Sequence, residues 1–428
     1  MTKLRAPKKE SLPDQLRDLL RRSGPGLITG AADDDPSGIV TYSSAGAAFG
    51  YILGWTVLLC LPFMVAVQEI SARIGRVTGA GLAATLRVHT PGWFCGSMVA
   101  ILVGANVINL GADVSAMGNV AHLMVGGPAA AWAVAVAAIS AVCAIWIDYV
   151  IYVRVMKFLT LPLLAYFVLL LVVKTDWRGA AIGTFIPHVP TTRDAWTMVV
   201  AVLGTTISPY LFFWQAAEEA EDEHLLADPR PLREHPRDAP PQMKRIGYDT
   251  WTGMIFSNAV AIAIMWGAAA TLHAHGITNI ETATQAASAL KPIAGPYAML
   301  LFGFGVIGTG MLAVPVLAVS VAYAVGEARG WAVGLNRRAN EARAFYSTLA
   351  ASTFIGLLIA LSPIDPVKAL IGSAVLNGVA ATPLIVTITV FGMRKSIMGK
   401  LTLPKWLVAG GFASAVLMGF ATVAMVVL

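Results

Sequence analysis

The chain has 428 residues, 57% of them hydrophobic and 13% charged, with a mean hydropathy of +0.70. A soluble domain carries about 25% charged residues, so a water-soluble globule is excluded and most of the surface must face lipid. The net charge of +6 does not point to nucleic acid, because the basic residues sit at the ends of apolar runs, where they act as orientation signals. Cys60, Cys95 and Cys143 lie in or beside apolar runs. Their spacing fits neither a zinc site nor a disulfide framework, and they read as buried small hydrophobes.

Residues 1–23 form a basic, polar tail with no short apolar core and cleavage site behind it, so a removable signal peptide is not expected. After the tail, a rule of roughly 20 apolar residues per span gives about eleven transmembrane helices. They fall near 24–47, 51–72, 93–124, 129–147, 153–173, 195–217, 247–273, 296–325, 344–361, 367–392 and 404–428. With the N-terminus placed in the cytoplasm, the 30 basic residues all fall on the inner side except Lys174, Arg178, Arg193, Lys291 and Lys368. A missed or invented span would invert every later loop and spoil that separation. The C-terminus is then external, and the protein is expected in the cytoplasmic (inner) membrane.

Two of these spans are interrupted. The first carries Asp33, Asp34, Asp35, Pro36, Ser37 and Gly38 in its middle, and the sixth is broken at Ser208-Pro209 within GTTISPYLFFWQA. A carboxylate inside an apolar span costs about 2.5–3.5 kcal/mol on insertion scales and defaults to a functional reading. Proline and glycine there free backbone carbonyls that need a partner. A cation would satisfy both. Two broken spans, one in each half, point to the central site of a secondary transporter. Spans 1–5 and 6–10 form two halves of odd number, so the second enters the membrane from the opposite side. This predicts an all-α polytopic membrane protein with a LeuT-type inverted repeat. Its units are a first repeat over 24–174, a second over 175–392, and an additional eleventh helix within 393–428. The connection 218–246 opens with Glu218, Glu219, Glu221, Asp222 and Glu223 and continues with five prolines. It predicts a flexible cytoplasmic loop with a solvated charged face.

Asp35 is the first candidate for a metal carboxylate. A capping aspartate would prefer a wet helix end, whereas this one falls near mid-membrane. Asp34 and Asp33 are further candidates, although three adjacent carboxylates cannot all point at one ion. Ser208 offers a hard hydroxyl oxygen. Asp113 is a buried pathway carboxylate. Asn106, Asn109 and Asn119 suit interhelical hydrogen bonds. No nucleophile–base spacing, zinc motif or phosphate loop is present, so an enzyme is not expected and no cofactor is implied.

The motifs resemble one family over nearly the whole chain. Gly24-Pro25-Gly26 followed by Asp35-Pro36 is similar to the first-helix signature of the Nramp divalent-metal transporters. Gln68-Glu69-Ile70-Ser71-Ala72-Arg73-Ile74-Gly75 with Val77-Thr78-Gly79 resembles its second helix, and Ala112-Asp113, Gly204–Pro209 and Asp249-Thr250 fit in order. The resemblance implies a transported divalent metal held by Asp35 together with the backbone carbonyls of Ala32 and Thr205, with Tyr210 and Gln215 along the pathway. This chain has Gly38 where the family has asparagine and Ser208 where it has the metal-binding methionine. Tyr210 and Gln215 stand in place of histidines, and Ala116 in place of an acidic residue. That pattern resembles the Nramp-related magnesium transporters. Carboxylate, carbonyl and water favour magnesium and manganese, while a thioether favours softer metals. The leading expectation is a carrier of hard divalent cations, magnesium first and manganese second. The alternatives are a proton-coupled manganese or iron importer of the Nramp type and a sodium-coupled organic-solute carrier. Lipid and the metal ion are the expected partners, without nucleic acid.

Overall fold

The computed structural model describes residues 29–30, 32–147, 161–188, 191–224 and 230–428. The predicted tail, the start of the first span at 24–28 and residues 153–160 of the fifth lie outside the described residues. Within them, the long elements are α1 (Pro36–Phe49), α2 (Gly54–Thr78), α3 (Leu82–His89), α4 (Gly92–Val125), α5 (Ala129–Trp146), α6 (Ala165–Val172) and α7 (Trp177–Phe185). They continue with α8 (Arg193–Thr206), α9 (Pro209–His224), α10 (Ala239–Thr271), α11 (Ala298–Arg329), α12 (Arg343–Ala360), α13 (Pro366–Met393) and α14 (Lys405–Val427). Among the described residues, nine helical segments are long and apolar enough to cross a membrane. Ile139, Phe354, Val416 and Phe420 stay exposed on α5, α12 and α14, as lipid-facing side chains do.

Both predicted breaks are present. Residues 29, 30, 32 and 33 are helical, the chain bends at Asp34 and is extended at Asp35, and helix resumes at Pro36. Proline is tolerated there because the first amide of a helix lacks a partner in any case. The sixth span stops at Thr206 and resumes at Pro209, leaving Ile207 and Ser208 outside helical geometry.

The helices sort into two groups. α1, α2, α9 and α10 pack on one another, while α4 is surrounded by α5, α11 and α12. From the first group α1 reaches α4 and α9 reaches α11, while α13 packs against α8 and α4 and α14 closes onto α13, α8 and α2. Backbones meet closely where α8 crosses α13. A Cβ on Gly204 would lie 2.0 Å from the Ala374 carbonyl oxygen and 2.4 Å from the Gly378 amide nitrogen. Small residues allow this approach between membrane helices, and it fixes the end of α8 two residues from the break.

The connection after the sixth span differs from expectation. α9 runs on to His224, and α10 starts at Ala239 with prolines in its first turn. Pro240 and Pro241, which read as loop formers, therefore occupy the one turn of a helix that accepts them. The acidic run is not a solvated face either. Glu219 is fully buried, at 2.5 Å from Arg245 Nη2 on α10 and 4.0 Å from Arg76 Nη1 on α2. Glu221 accepts from the Tyr323 hydroxyl on α11 and from the amides of Leu335 (3.1 Å) and Asn336 (2.6 Å) in the segment after it. Paired charges of both signs are what make this burial tolerable.

Gly204→Val is expected to destabilise the α8–α13 contact by about 1–3 kcal/mol or more, since the obstacle is backbone and cannot rotate away. Thermal unfolding in detergent should show a melting point lowered by several degrees against wild type, whereas Gly372→Val, with open space around it, should leave it unchanged.

Candidate metal-transport site

Asp33, Asp34, Asp35 and Asp113 are each no more than 1% exposed. Ion pairs among the described residues join Arg73 to Glu69, and Arg76 and Arg245 to Glu219, and none of them reaches these aspartates. Burial of so much negative charge without a cationic side chain is costly, and it is tolerated where another cation or a dense set of hydrogen bonds compensates.

Asp35 sits at the start of α1 and caps it. Its Oδ1 accepts from Ser37 Oγ at 2.6 Å and from the Gly38 amide at 2.7 Å. Its Oδ2 accepts from Asn109 Nδ2 on α4 at 3.1 Å and from the Tyr210 hydroxyl on α9 at 3.4 Å. The expected opposition between a capping and a functional aspartate dissolves, because the break puts a helix start in the middle of the protein. Three elements, α1, α4 and α9, thus aim donors at one carboxylate. Asn109 is in turn held by Ser373 Oγ of α13, 2.7 Å from its Oδ1.

The structure brings most of the predicted residues together. Tyr210 donates to the Ala32 carbonyl at 3.1 Å, which joins Ala32, Tyr210 and Asp35 in one set. Ser208 Oγ donates to the carbonyls of Gly204 (2.7 Å) and Thr205 (2.9 Å), so the hydroxyl and the Thr205 carbonyl oxygen lie side by side at the second break. Thr205 Oγ1 is 3.3 Å from Ser37 Oγ, which links the two breaks directly. A Cβ on Gly38 would meet the Asp33 carbonyl oxygen at 3.3 Å and Thr205 Oγ1 at 3.5 Å, so a side chain there would point between the two broken helices. Asp113 on α4 lies within electrostatic range of Asp35 and near the Ser37 amide, and neither of its oxygens has a well-formed hydrogen bond.

Other placements diverge. Asp33 and Asp34 face α10, where Ser257 Oγ donates to Asp33 Oδ2 at 2.5 Å and lies 3.4 Å from Asp34 Oδ1. Gln215 is apart from the breaks, donating to Thr250 Oγ1 on α10 at 3.2 Å. Sequence reasoning missed Ser37, Ser257 and Ser373, and placed Asn109 only as an interhelical bond former. The available signal was a polar residue next to an already suspect one, as in Pro36-Ser37, whereas nothing in the sequence marks Ser257 or Ser373.

Among the described residues, no three acidic, histidine or cysteine side chains converge closely enough to hold a metal by themselves. An ion between the breaks would draw on Asp35, backbone carbonyls, hydroxyls and retained waters, an all-oxygen shell of the hard type. Val40, Ala112, Ala116, Val367 and Leu370 form a small apolar cluster. All of them but Ala112 line a cavity of about 300 Å³ that also includes Asn119, Glu281 and Asp365.

Residues 26–428 match the family described as Nramp, natural resistance-associated macrophage protein-like. The chain belongs to the Nramp family. This is a family of membrane transporters, not enzymes. The chain is 25% identical over 397 residues to the divalent metal cation transporter MntH of Pectobacterium carotovorum, covering 90% of this chain and 88% of that protein. It is 26% identical over 404 residues to the MntH of Yersinia pestis, covering 88% of each. Its fold is similar to that of the Eremococcus coleocola manganese transporter crystallised with an aromatic bis-isothiourea compound. The TM-score is 0.73 at 14% identity, covering 97% of this chain and 87% of that one. MhsT in complex with L-phenylalanine shares the architecture at a TM-score of 0.64 and 11% identity, covering 94% of this chain and 98% of that one. Against this background, the Nramp chain described here is a multi-pass membrane protein of LeuT-type fold.

Because Asp35 is both cap and carboxylate, two substitutions separate its roles. Asp35→Asn keeps a good cap and should leave the melting temperature within a few degrees of wild type while abolishing metal uptake into liposomes. Asp35→Ala should abolish uptake and also lose about 1 kcal/mol of stability.

Proposed function

We propose that this Nramp chain is a secondary transporter that carries divalent metal cations by alternating access about the two breaks. The observation that carries the reading is Asp35, fully buried at a helix break and surrounded by Ala32, Ser37, Asn109, Thr205 and Tyr210. Such a site offers charge and oxygen donors at mid-membrane, where a dehydrating hard cation needs both. The names of the relatives, divalent metal cation transporters and a manganese transporter, support manganese within its range. They favour the Nramp-type importer over the magnesium carrier that led the sequence analysis.

One observation favours magnesium as a second reading. Ser208 occupies the second break beside the Thr205 carbonyl, and it brings oxygen and little bulk where the family motif carries a sulfur. Magnesium keeps several waters and needs their room. We further propose that the N-terminus is cytoplasmic, as the basic residues indicate.

The test is uptake of manganese, magnesium and cadmium into proteoliposomes with a simultaneous pH readout. Divalent-dependent flux that competes among these ions is expected. Sodium-driven uptake of an organic solute with no divalent flux would overturn the reading.

Selectivity gives a sharper test. Ser208→Met puts a soft sulfur beside the Thr205 carbonyl, and Gly38→Asn adds an amide between the breaks. Cadmium or manganese transport should rise relative to magnesium in the single variant and further in the double. A tenfold change corresponds to only about 1.4 kcal/mol, which one coordinating atom supplies. An unchanged ratio in active protein means that position 208 does not face the ion.

A further inference from the structure

The three consecutive aspartates do not share one set of partners. Asp35 faces α4 and α9, whereas Asp33 and Asp34 face α10 and share the single hydroxyl of Ser257. The division follows from how the first half-helix lies on α10. A Cβ on Gly30 would be 2.4 Å from the Gly253 carbonyl oxygen, so the two backbones touch there. Asp33 follows Gly30 by three residues and Ser257 follows Gly253 by four, one helical turn in each case. The contact therefore delivers the carboxylates to Ser257.

Each carboxylate keeps an oxygen without a hydrogen bond. Asp33 Oδ1 and Asp34 Oδ2 are both buried and unpartnered, and the neighbouring Asn258 has an unpartnered buried Oδ1 although the residue is only 3% exposed. Tyr42 lies within electrostatic range of both aspartates, its hydroxyl 3.5 Å from Thr206 Oγ1. No described ion pair reaches the two aspartates. One serine proton cannot compensate two buried carboxylates, and orphaned buried oxygens are rare enough to call for an explanation.

We propose that Asp33, Asp34 and Ser257 form a second cation station, separate from the one at Asp35, that takes one hard divalent cation such as manganese or magnesium. The two carboxylates balance its charge. The Ser257 hydroxyl oxygen and water complete an oxygen shell of the kind such ions accept. The inference rests on the reading of the chain as a divalent-cation carrier, and adds that it holds two cations at once. Asp35 with Asp113 supplies two negative charges to one station, and Asp33 with Asp34 supplies two to the other.

The experiment is equilibrium dialysis of radioactive manganese against the purified full-length protein in detergent, with binding stoichiometry as the readout. Wild type should bind two equivalents. The Asp33→Asn/Asp34→Asn double variant, isosteric and therefore tolerant of the packing, should bind one, and Asp35→Asn should bind one. Ser257→Ala should weaken only the second equivalent, by about tenfold, while leaving the first unchanged. Overturning results are one equivalent in wild type that Asp35→Asn removes, or two equivalents that survive the double variant and Ser257→Ala alike. The first of these leaves the carrier reading standing, whereas no manganese binding in wild type would sink both.

Discussion

Everything at the centre of this protein answers to one constraint: four carboxylates buried in an apolar bundle with no described ion pair to a basic side chain. Protein can meet that cost with hydrogen-bond donors, and around Asp35 it does so from α1, α4 and α9 together. The two helix breaks exist where those donors converge. An unbroken helix would keep its amides for itself, while the start of α1 releases the Gly38 amide to the carboxylate. The charge thus dictates the local backbone, and the backbone in turn presents carbonyls to the same space.

The connections around Tyr210 show how that centre is tied to the rest. Its hydroxyl reaches Ala32 and Asp35, while its backbone carbonyl accepts from Ser320 Oγ on α11 at 3.1 Å, which is itself held by Asn106 Nδ2 of α4 at 3.4 Å. One residue at the start of α9 therefore joins the first break to the helices packed about α4. Tyrosine serves this purpose with an apolar ring for the bundle and a hydroxyl for the polar centre. A histidine at that position would bring a group that titrates near neutral pH. Tyrosine instead places a hydroxyl donor there.

The architecture was legible in the sequence because lipid makes hydropathy and basic-residue placement nearly sufficient, and because aspartate and proline inside apolar runs have few innocent explanations. The identity of Asp35 as the central residue came from the same source. What remained hidden was direction. Nothing in Asp33-Asp34-Asp35 tells which helix each faces, since that depends on the Gly30–Gly253 contact between segments far apart in the chain. Gln215 shows the reverse difficulty. It follows the second break closely, yet the turn of α9 carries it to Thr250. The acidic run at the end of α9 reads as solvated in sequence because burial of Glu219 depends on Arg76 and Arg245, and no local pattern announces partners that distant.

The two glutamates near the end of α9 differ in what they hold. Glu219 binds arginines of α2 and α10, members of the same packed group as α9, and a rigid rotation of that group would carry those bonds along intact. Glu221 instead grips Tyr323 of α11 and the amides after it, on the opposite group. Any swing that parts α9 from α11 must rupture the Glu221 contacts first. In a carrier that worked by such a swing, their strength would belong to its activation barrier and so to how often it cycles rather than to how tightly its cargo is held.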